Sequence, residues 1–180
     1  MPDFDPIQVE VVVQDYFFDE EQQPLPATPD QWQDWFCHWL RTLQPNLDEP
    51  FTHPSYELSL RLTDDAEIQN LNAQYRQKAQ PTDVLAFAAL EVDAPHPSTL
   101  EADEPLYLGD IVISVQTAQA QALQQNHSLQ QELVWLASHA LLHLLGWDHP
   151  DEARLIEMLQ QQAVLLQTIG IPSGYYQGES

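Results

Sequence analysis

HALLHLLGWDH, residues 139–149, gathers three of the chain's seven histidines. On a helix His139 and His143 stand one turn apart and project from the same face. From Leu133 to Leu145 the only other polar side chain is Ser138, so this helix is apolar nearly all round and reads as buried. Two imidazoles inside such a helix cost free energy unless each has a hydrogen-bond partner or a metal. Gly146 is a natural helix stop, and a left-handed turn there brings His149 back toward the pair. Three imidazole nitrogens at about 2.0–2.1 Å would hold one zinc ion and leave its fourth position for water or substrate. Nickel and other divalent ions also accept imidazole. Asp148, beside the last histidine, either orients an imidazole or is a solvated acid.

The spacing coincides with the zinc-protease pattern H-E-x-x-H-x-x-G-x-x-H, in which the Glu is the general base. Here Ala140 stands at that position, and a methyl group takes no proton. Either a carboxylate elsewhere substitutes, or the substrate needs no such base. RNA is a substrate of the second kind, because its 2′-hydroxyl is a built-in nucleophile beside the scissile phosphate. A site for it also wants a positioned cation to hold the phosphate. Arg76 and Lys78 lie close together in YRQKAQPTDVL; they either serve that purpose or are a solvated helix end offsetting the dipole.

Charge narrows the partners. Twenty-eight acids face five bases, for a formal net charge of −23. A protein that coats duplex DNA needs a broad basic face, which this chain lacks, so contact with nucleic acid is expected only at a small local site. The N-terminus has no basic start followed by an apolar stretch, and no window is long and apolar enough to span a membrane. The lone Cys37 can form no internal disulfide. These features fit a soluble cytoplasmic protein.

Around the histidine helix the chain alternates between strand and helix signals. Ile7 to Val13, Tyr56 to Leu62, Asp83 to Phe87 and Leu106 to Ser114 read as strands, the last interrupted by Gly109. Helices are expected from Pro29, from Asp64 to Arg76, from Val115 to Gln125, from Ser128 to Leu145 and from Asp151 to Ile169. Thr28 with Gln31, and Ser128 with Gln131, fit capping boxes. Trp32, Trp35, Phe36, Trp39, Leu40 and Leu43 make a core-facing stripe, while Ile68, Leu71 and Tyr75 share one side of the next helix. Residues 19–29 and 94–105 read as Pro-rich loops. At 180 residues the expectation is one α/β (α+β) layered domain covering 1–180.

HALLHLLGWDH, LNAQYRQKAQPTDVLAF (71–87) and LGDIVIS (108–114), in this order and spacing, resemble the YbeY family of bacterial endoribonucleases, the rRNA maturation factors. The resemblance runs from about Tyr56 to Gly170. It implies a mixed, roughly four-stranded sheet surrounded by about five helices, one of them a zincin-like metal helix. It implies a zinc-dependent, single-strand-specific endoribonuclease acting in 16S rRNA 3′-end maturation and ribosome quality control, with rRNA and the small ribosomal subunit as partners. By position, His139, His143 and His149 match the family's metal ligands, and Arg76 matches its cleft arginine. Two other readings of the residues stay open: a metallohydrolase of another substrate such as peptide, and a ribosome-associated binding factor whose metal braces the fold.

Overall fold

A computed structural model describes residues 7–18, 25–48, 51–89 and 104–172. The strands are β1 (Gln8–Asp15), β2 (Ser55–Thr63), β3 (Val84–Ala88) and β4 (Leu106–Ser114). The helices are α1 (Pro29–Leu43), α2 (Asp65–Arg76), α3 (Val115–Gln125), α4 (Leu129–Leu144) and α5 (Glu152–Thr168). The strands form one mixed sheet in the order β1-β2-β4-β3, with β3 antiparallel to β4 and the other pairs parallel. The fold is thus the single-domain α/β arrangement expected from the sequence. Of the two Pro-rich loops, residues 19–24 and 94–103 lie outside the described residues.

Period-two alternation explains how the sheet is covered. Tyr56, Leu58, Leu60 and Leu62 of β2 point to the main core, where they meet the apolar stripe of α1 and the buried faces of α4 and α5. Trp32, Phe36 and Trp39 are fully buried there, so the aromatic stripe is core, and Trp39 Nε1 donates to the Leu165 carbonyl at 2.9 Å to tie α1 to α5. On the opposite face α2 packs Ile68 over Leu85 and Val112 in a smaller cluster.

The glycine inside β4 has a spatial cause. Register shifts there, pairing Glu57 with Tyr107 but Leu58 with Gly109, so core-facing residues pass from Leu106 and Leu108 to Ile111 and Ile113. Gly109 has φ +139, and a Cβ on it would lie 2.2 Å from the Phe87 carbonyl oxygen and 2.9 Å from Leu144 Cδ2. The missing side chain therefore lets both the edge strand and the end of α4 come close.

Tyr75, on the same side of α2 as Ile68 and Leu71, is 60% exposed in the last turn, and its ring meets Phe87 edge-on at 5.3 Å. One local expectation is corrected, at a helix cap. The Thr28 capping box forms in full. At α4 Ser128 does accept from the Gln131 N–H, but the Gln131 side chain donates instead to the Pro172 carbonyl at 2.7 Å.

Candidate metal centre and cleft

α4 carries eleven buried residues, so its backbone is held by packing on nearly every side. Its end is a Schellman turn: Gly146 N–H donates to the His143 carbonyl at 3.0 Å, and Trp147 N–H to the Leu142 carbonyl at 2.9 Å, with Gly146 at φ +94. This reversal does what the glycine stop predicts. Ring centroids of His149 lie 5.9 Å from His139 and 5.5 Å from His143, and those of His139 and His143 lie 4.5 Å apart. One ring nitrogen from each of the three comes within 4.8 Å of the others, a group that could hold a metal ion.

The hydrogen bonds behind the rings set the tautomers. His139 Nδ1 meets Gln162 Oε1 at 3.1 Å, and His143 Nδ1 meets the Trp147 carbonyl at 3.0 Å. Both partners are acceptors, because the Gln162 amide nitrogen donates to the Trp135 carbonyl at 3.2 Å. Each Nδ1 therefore carries the proton, and the two Nε2 atoms turn bare lone pairs toward each other at 3.0 Å. Lone pairs in that arrangement repel unless a cation lies between them. Two nitrogens on a tetrahedral zinc sit about 3.3 Å apart, so the donor set fits such an ion.

Electrostatics favour the same protonation state. Burial, followed by the nearby His149, holds the His139 imidazole below its ordinary value, against the opposing pull of Gln162 and Asp83. Burial and the adjacent His139 push His143 down to about 4. Both rings are thus neutral near pH 7, the form that can donate a lone pair to a metal.

The outer partners differ from those considered in the sequence. Asp148 is exposed and accepts from the His149 backbone N–H at 2.8 Å, so it braces the loop. Gln162 and the Trp147 carbonyl support the rings instead. Spacing carries no signal for Gln162, a fully buried glutamine of α5 whose partner lies 23 residues earlier. Its only trace in the sequence is a polar residue among the apolar positions of that helix.

The histidine pair floors a cleft of about 860 Å³, and Arg76, Lys78, Asp83 and Gln121 also line it. Gln77 adopts a left-handed conformation, φ 59, that ends α2 directly after Arg76 and folds the chain back. The buried Asn72 Nδ2 holds this return through the Gln80 carbonyl at 3.0 Å. Arg76 Nη2 donates to the Ala86 carbonyl at 2.7 Å on edge strand β3, and its guanidinium sits 5.7 Å from the Phe87 ring centre. Arg76 and Lys78 are both exposed, at the mouth. The structure thus brings together Arg76, His139 and His143 on one cleft, with His149 completing the imidazole group.

Fold and site together define a single-domain α/β protein whose buried helix carries a histidine group that could hold a metal, with Ala140 where the zinc-protease pattern has its glutamate. Residues 17–170 match the family described as Endoribonuclease YbeY, which reaches further toward the N-terminus than the three motifs alone. Proteins named Endoribonuclease YbeY from Nostoc and from Trichormus variabilis are 60% and 57% identical, each over 92% of this chain, covering 92% and 96% of their own lengths. One from Picosynechococcus is 61% identical over 77% of this chain and 82% of its own length. The chain belongs to the YbeY endoribonuclease family. A solution structure of TM1509 from Thermotoga maritima, 20% identical, superposes with a TM-score of 0.53 over 95% of this chain and 93% of that one, which bears on the fold alone. Among the described residues, no helix is long and apolar enough to cross a membrane.

Proposed function

We propose that residues 1–180 form one zinc-dependent endoribonuclease domain that cuts single-stranded RNA in the cytoplasm, and that its substrate is rRNA of the small ribosomal subunit during 16S 3′-end maturation and quality control. His139, His143 and His149 are the ligands of the ion, and Arg76 is the catalytic cation. Their shared cleft carries this reading, since it sets a positive clamp against an imidazole floor with no base at Ala140.

The ion, once bound, supplies positive charge beside the phosphate and an open coordination position. Arg76 presents a planar fork of donors that suits a phosphate, and its tie to Ala86 fixes where that fork sits. Lys78 at the mouth adds a second cation for a neighbouring phosphate. With a net charge of −23, these few cations restrict RNA contact to the cleft, which suits a flexible single strand better than a duplex.

Purified protein loaded with zinc is expected to nick single-stranded RNA and to leave DNA intact. Arg76→Ala should lose most of the cutting, on the order of 100-fold, while keeping its zinc. Cutting that survives both Arg76→Ala and His143→Ala would belong to a contaminant. Peptide hydrolysis is disfavoured because Ala140 puts a methyl group, which takes no proton, where the zinc-protease pattern has its general base. If the ion served only as a brace, chelation would melt the protein and zinc-loaded protein would leave RNA uncut.

A further inference from the structure

We propose that Asp83 is the catalytic group that removes the proton from the attacking hydroxyl, the role that Ala140 leaves vacant. The proposal rests on the RNA-cleaving reading above. Asp83 immediately precedes β3, is half-buried, and lines the same cleft as His139 and His143. The cleft has one other carboxylate among its described lining residues, Asp148, which is exposed and occupied with the backbone of His149. Asp83 lies close enough to His139 for its charge to be felt by that ring.

Asp83 is also held in place. Oδ1 accepts from the Val84 N–H at 2.8 Å and from Thr82 Oγ1 at 3.4 Å, and Oδ2 accepts from Gln121 Nε2 at 3.2 Å. Its backbone carbonyl accepts from Ser114 N–H at 2.9 Å, which pins the residue to the end of β4. An ionised carboxylate offers about four acceptor positions, so one remains for a donor from the cleft. A base fixed by its own hydrogen bonds needs little reorganisation when the substrate hydroxyl arrives.

The step balances without any further reactant. The 2′-hydroxyl oxygen attacks the adjacent phosphorus, forming the O2′–P bond, and its proton passes to Asp83 Oδ2. The P–O5′ bond breaks, its electron pair leaves with the 5′ oxygen, and that oxygen takes a proton from water. One product ends in a 2′,3′-cyclic phosphate and the other in a 5′-hydroxyl. Asp83 then returns its proton to solvent.

Asp83→Asn in the full-length, zinc-loaded protein tests this. The change keeps the acceptor for Val84, and Gln121 can turn its amide so that Oε1, a buried atom without a hydrogen-bond partner, faces the new amide. Zinc content, melting temperature and affinity for a 2′-O-methyl strand are expected to match the parent, while single-turnover cutting falls by about 100-fold or more. Asp83→Glu should recover part of the rate. The defect should persist when sulfur replaces the 5′ oxygen, since such a leaving group needs no acid. Any of the following overturns the assignment: an Asp83→Asn rate within about threefold of the parent, a loss of zinc that accounts for the lost rate, rescue by the sulfur leaving group, or parent products ending in 5′-phosphate. A parent protein that leaves RNA uncut overturns the RNA reading and this assignment with it.

Discussion

His143 donates from Nδ1 to the backbone carbonyl of Trp147 at 3.0 Å, four residues further along the chain. That contact exists because Gly146 turns the backbone between them, so a helix stop and a ring orientation are one feature. A metal-binding imidazole whose far nitrogen is held by a carbonyl keeps both its tautomer and its aim.

Gly146→Ala separates those two effects. A Cβ at this position would meet the Phe51 ring at 3.6 Å, an ordinary contact, so the cost comes from the backbone at φ +94. Stability should fall by about 1–2 kcal/mol, read by chemical unfolding. As the Trp147 carbonyl moves, zinc affinity should fall about tenfold in a chelator competition, and unchanged affinity would show that the carbonyl does not matter.

Gln162→Leu should act on the other ring. The glutamine is fully buried, accepts a hydrogen bond from His139 Nδ1–H and donates to the Trp135 carbonyl, so a leucine leaves His139 free to choose its tautomer. Zinc affinity is expected to drop about 10–100-fold while the circular dichroism spectrum keeps its helical form. Equal affinity in parent and variant would mean that packing alone orients His139.

Acid should destabilise the metal-free protein within a defined window. His143 is held down to about 4, against an ordinary 6.5, and His139 is lowered as well, so the unfolded chain binds these protons first. Their contribution is therefore complete above pH 6.5 and is lost as pH falls toward about 4. Urea midpoints of chelator-stripped protein should decline across that interval, and His143→Ala should flatten the decline. Midpoints that fall equally in the two proteins would assign the acid sensitivity to other groups.

Gly109→Ala is expected to be far more damaging than Gly146→Ala. Its new Cβ would meet a backbone oxygen of β3 at 2.2 Å, and that strand cannot yield without breaking its pairing to β4. A loss of about 3 kcal/mol or more is expected from strain and overpacking combined, measured by denaturant unfolding. A loss below about 1 kcal/mol would show that the bulge adapts.

Short-range patterns already contained the histidine face of α4, the Gly146 reversal, the aromatic stripe of α1 and the glycine-marked irregularity of β4. Each of these is fixed by the helical or strand period, or by a turn within a few residues, so neighbouring residues carry the information. The order β1-β2-β4-β3, the meeting of Gln162 with His139, the exposure of Tyr75 and the placement of Asp83 and Arg76 on the histidine cleft depended on docking between distant segments. Gln162 becomes a partner of His139 only when α5 lies against α4, and Arg76 is held at the cleft only where α2 docks beside β3 and its guanidinium meets the Ala86 carbonyl. Such contacts reflect which apolar faces bury each other, and no local period encodes that choice.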